Sequence, residues 1–175
     1  DIKEWEKWYE MPHECPDIVE NSIYGLPEVN RDQIKHAQLV ANPGCYPTAI
    51  QLALIPLLKD GLIDPLSIIA DAKSGISGAG KKTQTDLLLS EASENFKAYS
   101  LTGHRHQPEI EENLSQNSLI GKVRVLFVPH LLPMVRGIHA TIYVNCIKDF
   151  DPSIIFNEFY DKEPFVDVME ANSCP

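Results

Sequence analysis

Two stretches decide the fold: Val123-Arg124-Val125-Leu126-Phe127-Val128, and Ile138-His139-Ala140-Thr141-Ile142-Tyr143-Val144-Asn145-Cys146-Ile147. The second alternates apolar and polar residues, the period of a strand with one covered face. A Pro- and Leu-rich loop joins the two, so they are expected to pair antiparallel. Upstream, Ser67-Ile68-Ile69-Ala70-Asp71-Ala72 suits a third strand, and Leu39-Val40-Ala41 a short one. Helical patterns fall between and around them. One begins near Pro47, with Pro56 expected to kink or end it. Others cover Thr85 to Ala92 and about Pro108 to Leu114. Asp151-Pro152-Ser153 has an Asp cap and a Pro at the first position, leading to Phe159. Phe165-Val166-Asp167-Val168 reads as the start of a last strand. This mixed order, without strict alternation, predicts an α+β fold: a mixed, mostly antiparallel sheet with helices packed on it. Residues 1–175 are read as one domain.

Composition bounds the function. The chain has 175 residues, 43% of them hydrophobic, enough for a core without disulfide or metal staples. Its formal charge of −10 argues against a binder of nucleic acid or anionic membrane, since both would repel it. No apolar run approaches the ~18 residues of a membrane span. The start, Asp1-Ile2-Lys3-Glu4-Trp5, lacks an initiator Met and a signal pattern, which reads as a piece of a longer protein in the cytoplasm. Cys15, Cys45, Cys146 and Cys174 form no CxxC pair and no dense framework, which suits a reducing compartment. Cys146 shares a strand face with Ile142 and Val144 and is expected to be a buried structural thiol.

Chemistry concentrates in three places. In Asn42-Pro43-Gly44-Cys45-Tyr46-Pro47-Thr48, a strand, a tight turn and a helix start would put the Cys45 sulfur at a helix N-terminus. Unpaired N–H groups and the positive dipole end there stabilise a thiolate, and can hold an oxyanion after attack on an acyl carbon. Against this, any cysteine can fall near a helix start. The second place is Gly103-His104-Arg105-His106-Gln107-Pro108-Glu109. A cysteine nucleophile needs a base, and two histidines flank an arginine here. His-x-His also spaces metal ligands on a strand, but no third ligand stands nearby, so no metal is expected. The third, Ser74-Gly75-Ile76-Ser77-Gly78-Ala79-Gly80-Lys81-Lys82-Thr83, nearly matches a phosphate-binding loop. Lys82 stands where a magnesium-binding hydroxyl belongs, which argues against a nucleoside triphosphatase. What survives is an anion loop of small residues, or a flexible turn. From spacing alone, acyl transfer by a cysteine is the reading, with hydrolysis, transfer and reduction all open.

These motifs, with Tyr24-Gly25-Leu26-Pro27-Glu28, Pro133-Met134-Val135-Arg136-Gly137-Ile138 and Glu163-Pro164-Phe165-Val166, closely resemble the N-acetyl-gamma-glutamyl-phosphate reductase family of arginine biosynthesis. The likeness runs in order from about residue 22 to residue 168. That family is similar to the aspartate-semialdehyde and glyceraldehyde-phosphate dehydrogenases, whose α+β catalytic and dimerisation domain is inserted into a dinucleotide-binding fold. The resemblance implies that Cys45 attacks the acyl phosphate, expels phosphate and forms a thioester, which hydride from NADPH reduces to the semialdehyde. It implies His104 as acid and base, with His106 as fallback or substrate-orienting group. Ser77, Gly78, Ala79 and Gly80 would approach the nicotinamide end and phosphates of the cofactor. Arg105 and Arg136, and also Lys81, would hold a substrate carboxylate or phosphate, which guanidinium binds in bidentate fashion. A homo-oligomer, dimer or tetramer, and a small-molecule acyl phosphate substrate are implied as well.

The sequence departs from the family in one respect. No G-x-G-x-x-G follows an apolar strand, so the dinucleotide-binding domain is expected to be absent from this chain, and the fragment to fold without turning over. Two other classes make different predictions. A cysteine hydrolase or acyltransferase would cleave thioesters without NADPH, and a non-catalytic dimerisation module would carry an inert Cys45.

Overall fold

The computed structural model describes residues 2–80 and 84–173, and the chain divides into two compact units. One unit comprises residues 1–44 and 148–175, the other residues 45–147.

The first unit holds helices α1 (Ile2–Tyr9), α2 (Pro16–Val19) and α3 (Pro27–Lys35), with strands β1 (Ile23–Tyr24) and β2 (Val40–Ala41) paired in parallel. Gly25 lets β1 leave that pair closely, because a Cβ there would lie 2.7 Å from a Val40 methyl. Its last helix, α7 (Pro152–Tyr160), starts as expected: the Asp151 carboxylate accepts a hydrogen bond from the Ser153 N–H at 2.8 Å, with Pro152 at the first position. Tyr160 is buried, and Arg31 pairs with Glu163. No strand forms over residues 165–168, and Phe165 is 92% exposed. With no neighbouring strand to take its backbone groups, an apolar run of four residues does not make a strand.

The second unit is built from α4 (Cys45–Lys59), β3 (Ile68–Ser74), α5 (Leu89–Ala92), β4 (Lys97–Ala98), α6 (His106–Gln116), β5 (Val125–Leu131) and β6 (Ile138–Tyr143). Its four-stranded sheet has the order β4-β5-β3-β6. The antiparallel pairing expected between residues 123–128 and 138–147 does not form. Instead β3 lies between them, parallel to β5 and antiparallel to β6, while β4 runs antiparallel to β5. The chain leaves β3 and returns to β5 through α6, the crossover that a parallel pair requires. Two of the three pairings are antiparallel, so the α+β expectation of a mixed, mostly antiparallel sheet holds.

Burial alternates strictly along the two central strands. Ile68, Ala70, Ala72 and Ser74 of β3, with Val125, Phe127, Pro129 and Leu131 of β5, are buried on one face. Ile50, Leu54 and Leu58 of α4 and Ile110 and Leu114 of α6 are buried too, and complete this core. Pro56 does not end α4, which continues to Lys59 with Pro56 itself buried. The expected helix from Thr85 to Ala92 is broken into a 3-10 turn at Thr85–Leu87 and the single turn of α5.

The opposite face carries three rows fixed by register. Leu126, Ile69 and Tyr143 form the first, Val128, Asp71 and Thr141 the second, and His130, Lys73 and His139 the third. Asp71 bonds Lys73 Nζ at 2.5 Å. Its other oxygen lies 3.1 Å from His130 Nδ1, an ion-pair separation without hydrogen-bond alignment. Cys146 lies past the end of β6 and is exposed, which corrects the expectation of a buried thiol. The strand ends at Tyr143, and Cys146 is held only by an isolated antiparallel bridge to Ile63. No helix among the described residues is long and apolar enough to cross a membrane.

Candidate active site

Helix α4 begins at Cys45 itself rather than near Pro47, so the thiol stands in the first turn, where backbone N–H groups lack intrahelical acceptors. The Cys45 side chain is exposed and reduced. Tyr46, next in the helix, turns inward and is only 2% exposed. Its ring meets His104 edge-on at 5.8 Å, His106 at 6.1 Å and Phe127 at 5.1 Å. Tyr99, beyond β4, closes the group with its ring 5.8 Å from that of His104. The Tyr99 hydroxyl donates to the Tyr46 hydroxyl at 3.0 Å, and that hydroxyl makes a longer bond to the His130 carbonyl at 3.4 Å. Burial raises the pKa of both phenols, so they stay protonated and donate rather than ionise. A thiolate at Cys45 would raise both further, which puts its sulfur within electrostatic range of the tyrosine pair.

The fold therefore brings His104 and His106, at the entry to α6, against Tyr46, the residue that follows Cys45 at the start of α4. The two histidine rings lie 4.8 Å apart. His104 Nδ1 accepts the backbone N–H of His106 at 3.1 Å. Burial, with the charges of His106 and Arg105 adding to it, lowers the His104 pKa to about 4. Burial and Arg105 bring His106 to about 4 as well. Both rings are neutral at pH 7. The Nδ1 atom of His106 is buried without a hydrogen-bond partner among the described residues. Arg105 is exposed, with its charge felt by both histidines and by Tyr99.

Arg136 belongs to a different part of the unit. It is exposed on the 132–137 turn, which is stitched to the glycine-rich loop. The N–H groups of Gly75, Ile76 and Ser77 donate to the carbonyls of Gly137, Met134 and Val135 at 3.0, 2.8 and 3.0 Å. Those of Gly78 and Gly80 donate to Gly75 and Ser77. The loop is thus not a nest of free donors for an anion, because its N–H groups are spent on carbonyls. It does present a low surface, since Ser77 to Gly80 are exposed and a Cβ on Gly80 would meet nothing within 4 Å. This suits close approach by a flat ring better than capture of a phosphate. Lys81, Lys82, Thr83 and Cys174 lie outside the described residues.

Gly75 makes the stitching possible. A Cβ there would sit 2.7 Å from the Arg136 nitrogen and 2.8 Å from the Val135 carbonyl carbon. Both are backbone atoms that cannot swing aside. Gly75→Ala is expected to cost about 1–3 kcal/mol, as overpacking does. Thermal unfolding followed by circular dichroism checks it, and an unchanged midpoint would show that the two loops separate freely.

Reasoning from sequence missed Tyr46, Tyr99 and Phe127. Tyr46 adjoins the nucleophile motif and could have been suspected. Tyr99 and Phe127 carry no local signal, because only the sheet brings β4 and β5 beside α4 and α6.

With this geometry in view, comparison with known proteins is informative. The model of the semialdehyde dehydrogenase dimerisation domain matches residues 45–175. The N-acetyl-gamma-glutamyl-phosphate reductase of Thiobacillus denitrificans is 54% identical over 175 residues, all of this chain and 51% of the relative. That of Nitrosospira multiformis is 55% identical with the same coverage. The chain thus spans about half the length of the curated relatives it matches. Among solved structures, aspartate semialdehyde dehydrogenase II of Vibrio cholerae superposes with a TM-score of 0.63 at 15% identity, over 89% of this chain and 53% of that one. Aspartate semialdehyde dehydrogenase of Candida albicans, solved with NADP, gives 0.54 at 15% identity, over 81% and 45%. At such identity these structures speak to the fold. The chain belongs to the semialdehyde dehydrogenase family through its dimerisation domain, and along its whole length it is similar to N-acetyl-gamma-glutamyl-phosphate reductases.

Proposed function

We propose that this chain supplies the acyl-transfer site and subunit interface of an enzyme that reduces N-acetyl-gamma-glutamyl phosphate to the semialdehyde and releases phosphate. The carrying observation is that Tyr46, next to Cys45 at the start of α4, packs its ring against His104 and His106 within one compact unit. The Cys45 thiolate attacks the acyl carbon, the carbon–oxygen bond to phosphate breaks, and a thioester remains on the sulfur. First-turn N–H groups of α4 face the oxyanion of that attack. Arg105 and Arg136 are the guanidinium groups for the substrate's carboxylate and phosphate. NADPH, when bound, supplies the hydride. Ser77, Gly78, Ala79 and Gly80 are the small-residue surface against which its nicotinamide end would lie. Its phosphates need donors other than the N–H groups of this loop, and the fragment alone is expected not to turn over as a reductase.

The test is NADPH oxidation by the full-length protein. N-acetyl-gamma-glutamyl phosphate should support it, with phosphate released in equal amount, and aspartyl phosphate should not. The reverse preference would move the protein to the aspartate-semialdehyde branch of the family. Thioester hydrolysis as the main reaction, independent of NADPH, would favour the hydrolase reading.

Self-association runs through the open sheet face in this reading. Leu126, Ile69 and Tyr143 align in one row and are 61%, 40% and 56% exposed, an apolar strip that a second copy would cover. Leu126→Glu places a charge on the most exposed residue of this strip and is expected to shift the protein from dimer to monomer in sedimentation velocity. An unshifted dimer would put the interface elsewhere.

A further inference from the structure

The three rows of the open sheet face make different demands on a covering surface. The first, Leu126, Ile69 and Tyr143, is apolar apart from one phenol hydroxyl. The third, His130, Lys73 and His139, sets an ammonium between two imidazoles. Asp71 stands in the row between them and pairs with Lys73 Nζ at 2.5 Å. While both imidazoles are neutral, the Asp71 and Lys73 charges cancel, and the face carries no net charge. His130 is already largely covered: its side chain is 17% exposed, and the Phe96 ring stacks on it at 5.2 Å. Its Nδ1 and the Asp71 Oδ1 are buried 3.1 Å apart, and neither has a hydrogen-bond partner among the described residues. An Nδ1 proton turned toward that oxygen makes the contact a charge-assisted bond, so the free protomer has a place for it. His139, on the far side of Lys73, is exposed. The charged and titratable groups facing His130 are thus Asp71 and Lys73 of β3, with His139 beyond them on β6. From β4, Ala98 takes the register position beside it, and the Tyr46 hydroxyl of α4 reaches its backbone carbonyl at 3.4 Å.

We propose that the dimer formed through this face is pH-dependent: it holds while His130 and His139 are neutral and separates as their row becomes positively charged. The inference rests on the self-association reading of the open sheet face. Imidazole takes up its proton between about pH 5 and pH 8, and here that adds two positive charges on either side of Lys73. A second copy seated on the face meets this gain badly in either orientation of a two-fold axis lying in the interface. With the axis along the strands, like rows face each other, and each protonated row meets the protonated row of its partner. With the axis across the strands the rows reverse, and the protonated row presses against the partner's apolar strip. The first arrangement costs like-charge repulsion, the second the desolvation of charge without a partner. Both have the same sign. The free protomer binds more protons than the dimer, so the dimer is tightest at the alkaline end of the imidazole range and weakens as the pH falls through it.

The test is the dimer dissociation constant of the full-length protein, read by fluorescence-detected sedimentation over a dilution series at pH 8 and pH 6. Far-UV circular dichroism at both values confirms that the fold is intact. The constant is expected to rise about ten-fold or more at pH 6, because two imidazoles from each protomer contribute together. In His130→Gln/His139→Gln, which keeps polar side chains of similar reach but cannot gain a proton, the two constants should agree to within about two-fold. A wild-type constant that does not change with pH overturns the inference, as does a double variant that keeps the full pH dependence. Leu126→Glu separates this failure from that of the interface itself. If it breaks the dimer while the wild type ignores pH, the interface stands and the pH dependence falls. If it leaves the dimer intact, the interface lies elsewhere and both readings fall.

Discussion

Cys45→Ser is expected to abolish the phosphate burst from acetyl phosphate, a fall of about 10³-fold or more, as loss of a covalent nucleophile generally produces. A serine hydroxyl in the same first turn of α4 gains the same dipole and N–H groups but stays protonated at neutral pH. The fold should be untouched, because the Cys45 side chain is exposed and packs into no core. Cys15 and Cys146 provide internal controls. Both are exposed thiols outside the Tyr46 cluster, so Cys15→Ser and Cys146→Ser should keep the full burst and the acyl adduct seen by intact-protein mass spectrometry. Persistence of the adduct in Cys45→Ser would assign the acylated residue elsewhere.

Acid should weaken the protein earlier than its carboxylates alone would cause. His104 and His106 are lowered to about 4, in each case first by burial, against about 6.5 in an unfolded chain. The folded state therefore prefers both rings neutral, while the unfolded state binds protons from pH 6.5 downward. The stability linked to them is complete above about pH 6.5 and is lost as the pH falls from there to about 4. Both rings are partly exposed, so the full shift overstates the effect, and about 1–2 kcal/mol for each histidine is a reasonable size. Urea unfolding at pH 7.5 and pH 5 should show the drop. In His104→Asn/His106→Asn the difference between the two pH values should shrink by that amount. An undiminished difference would place the acid-sensitive groups elsewhere.

The two predictions draw on different kinds of information. Cys45 was legible because its motif is local: a turn, a thiol and a helix start lie within a few residues. The same holds for the start of α7, where Asp151, Pro152 and Ser153 carry the whole signal. Strand positions were legible from the period of burial, which matches along β3 and β5. Strand partners were not. Nothing in residues 123–147 says that β3, far upstream, inserts between β5 and β6, because pairing is a contest among all strands for shared backbone hydrogen bonds. The same contest explains Cys146. Alternation predicted a buried side, but not that Cys146 would pair only through a single bridge to Ile63 past the end of β6 and stay exposed.

The glycine-rich loop shows this division within a single motif. Its small residues read either as an anion loop or as a flexible turn, and the sequence could not reveal that the 132–137 turn takes the N–H groups of Gly75, Ile76 and Ser77. His104 shows it again. A histidine beside an arginine signals chemistry, but its low proton affinity depends on burial among Tyr46, Tyr99 and Phe127. By itself, then, the sequence determined the family, the place of the candidate nucleophile at a helix start and most of the elements, because each is written in residues close along the chain. Only the tertiary structure decided the strand order, the fate of the loop donors and the protonation of His104. Those depend on which groups meet across long stretches of chain, and on how much water the meeting removes.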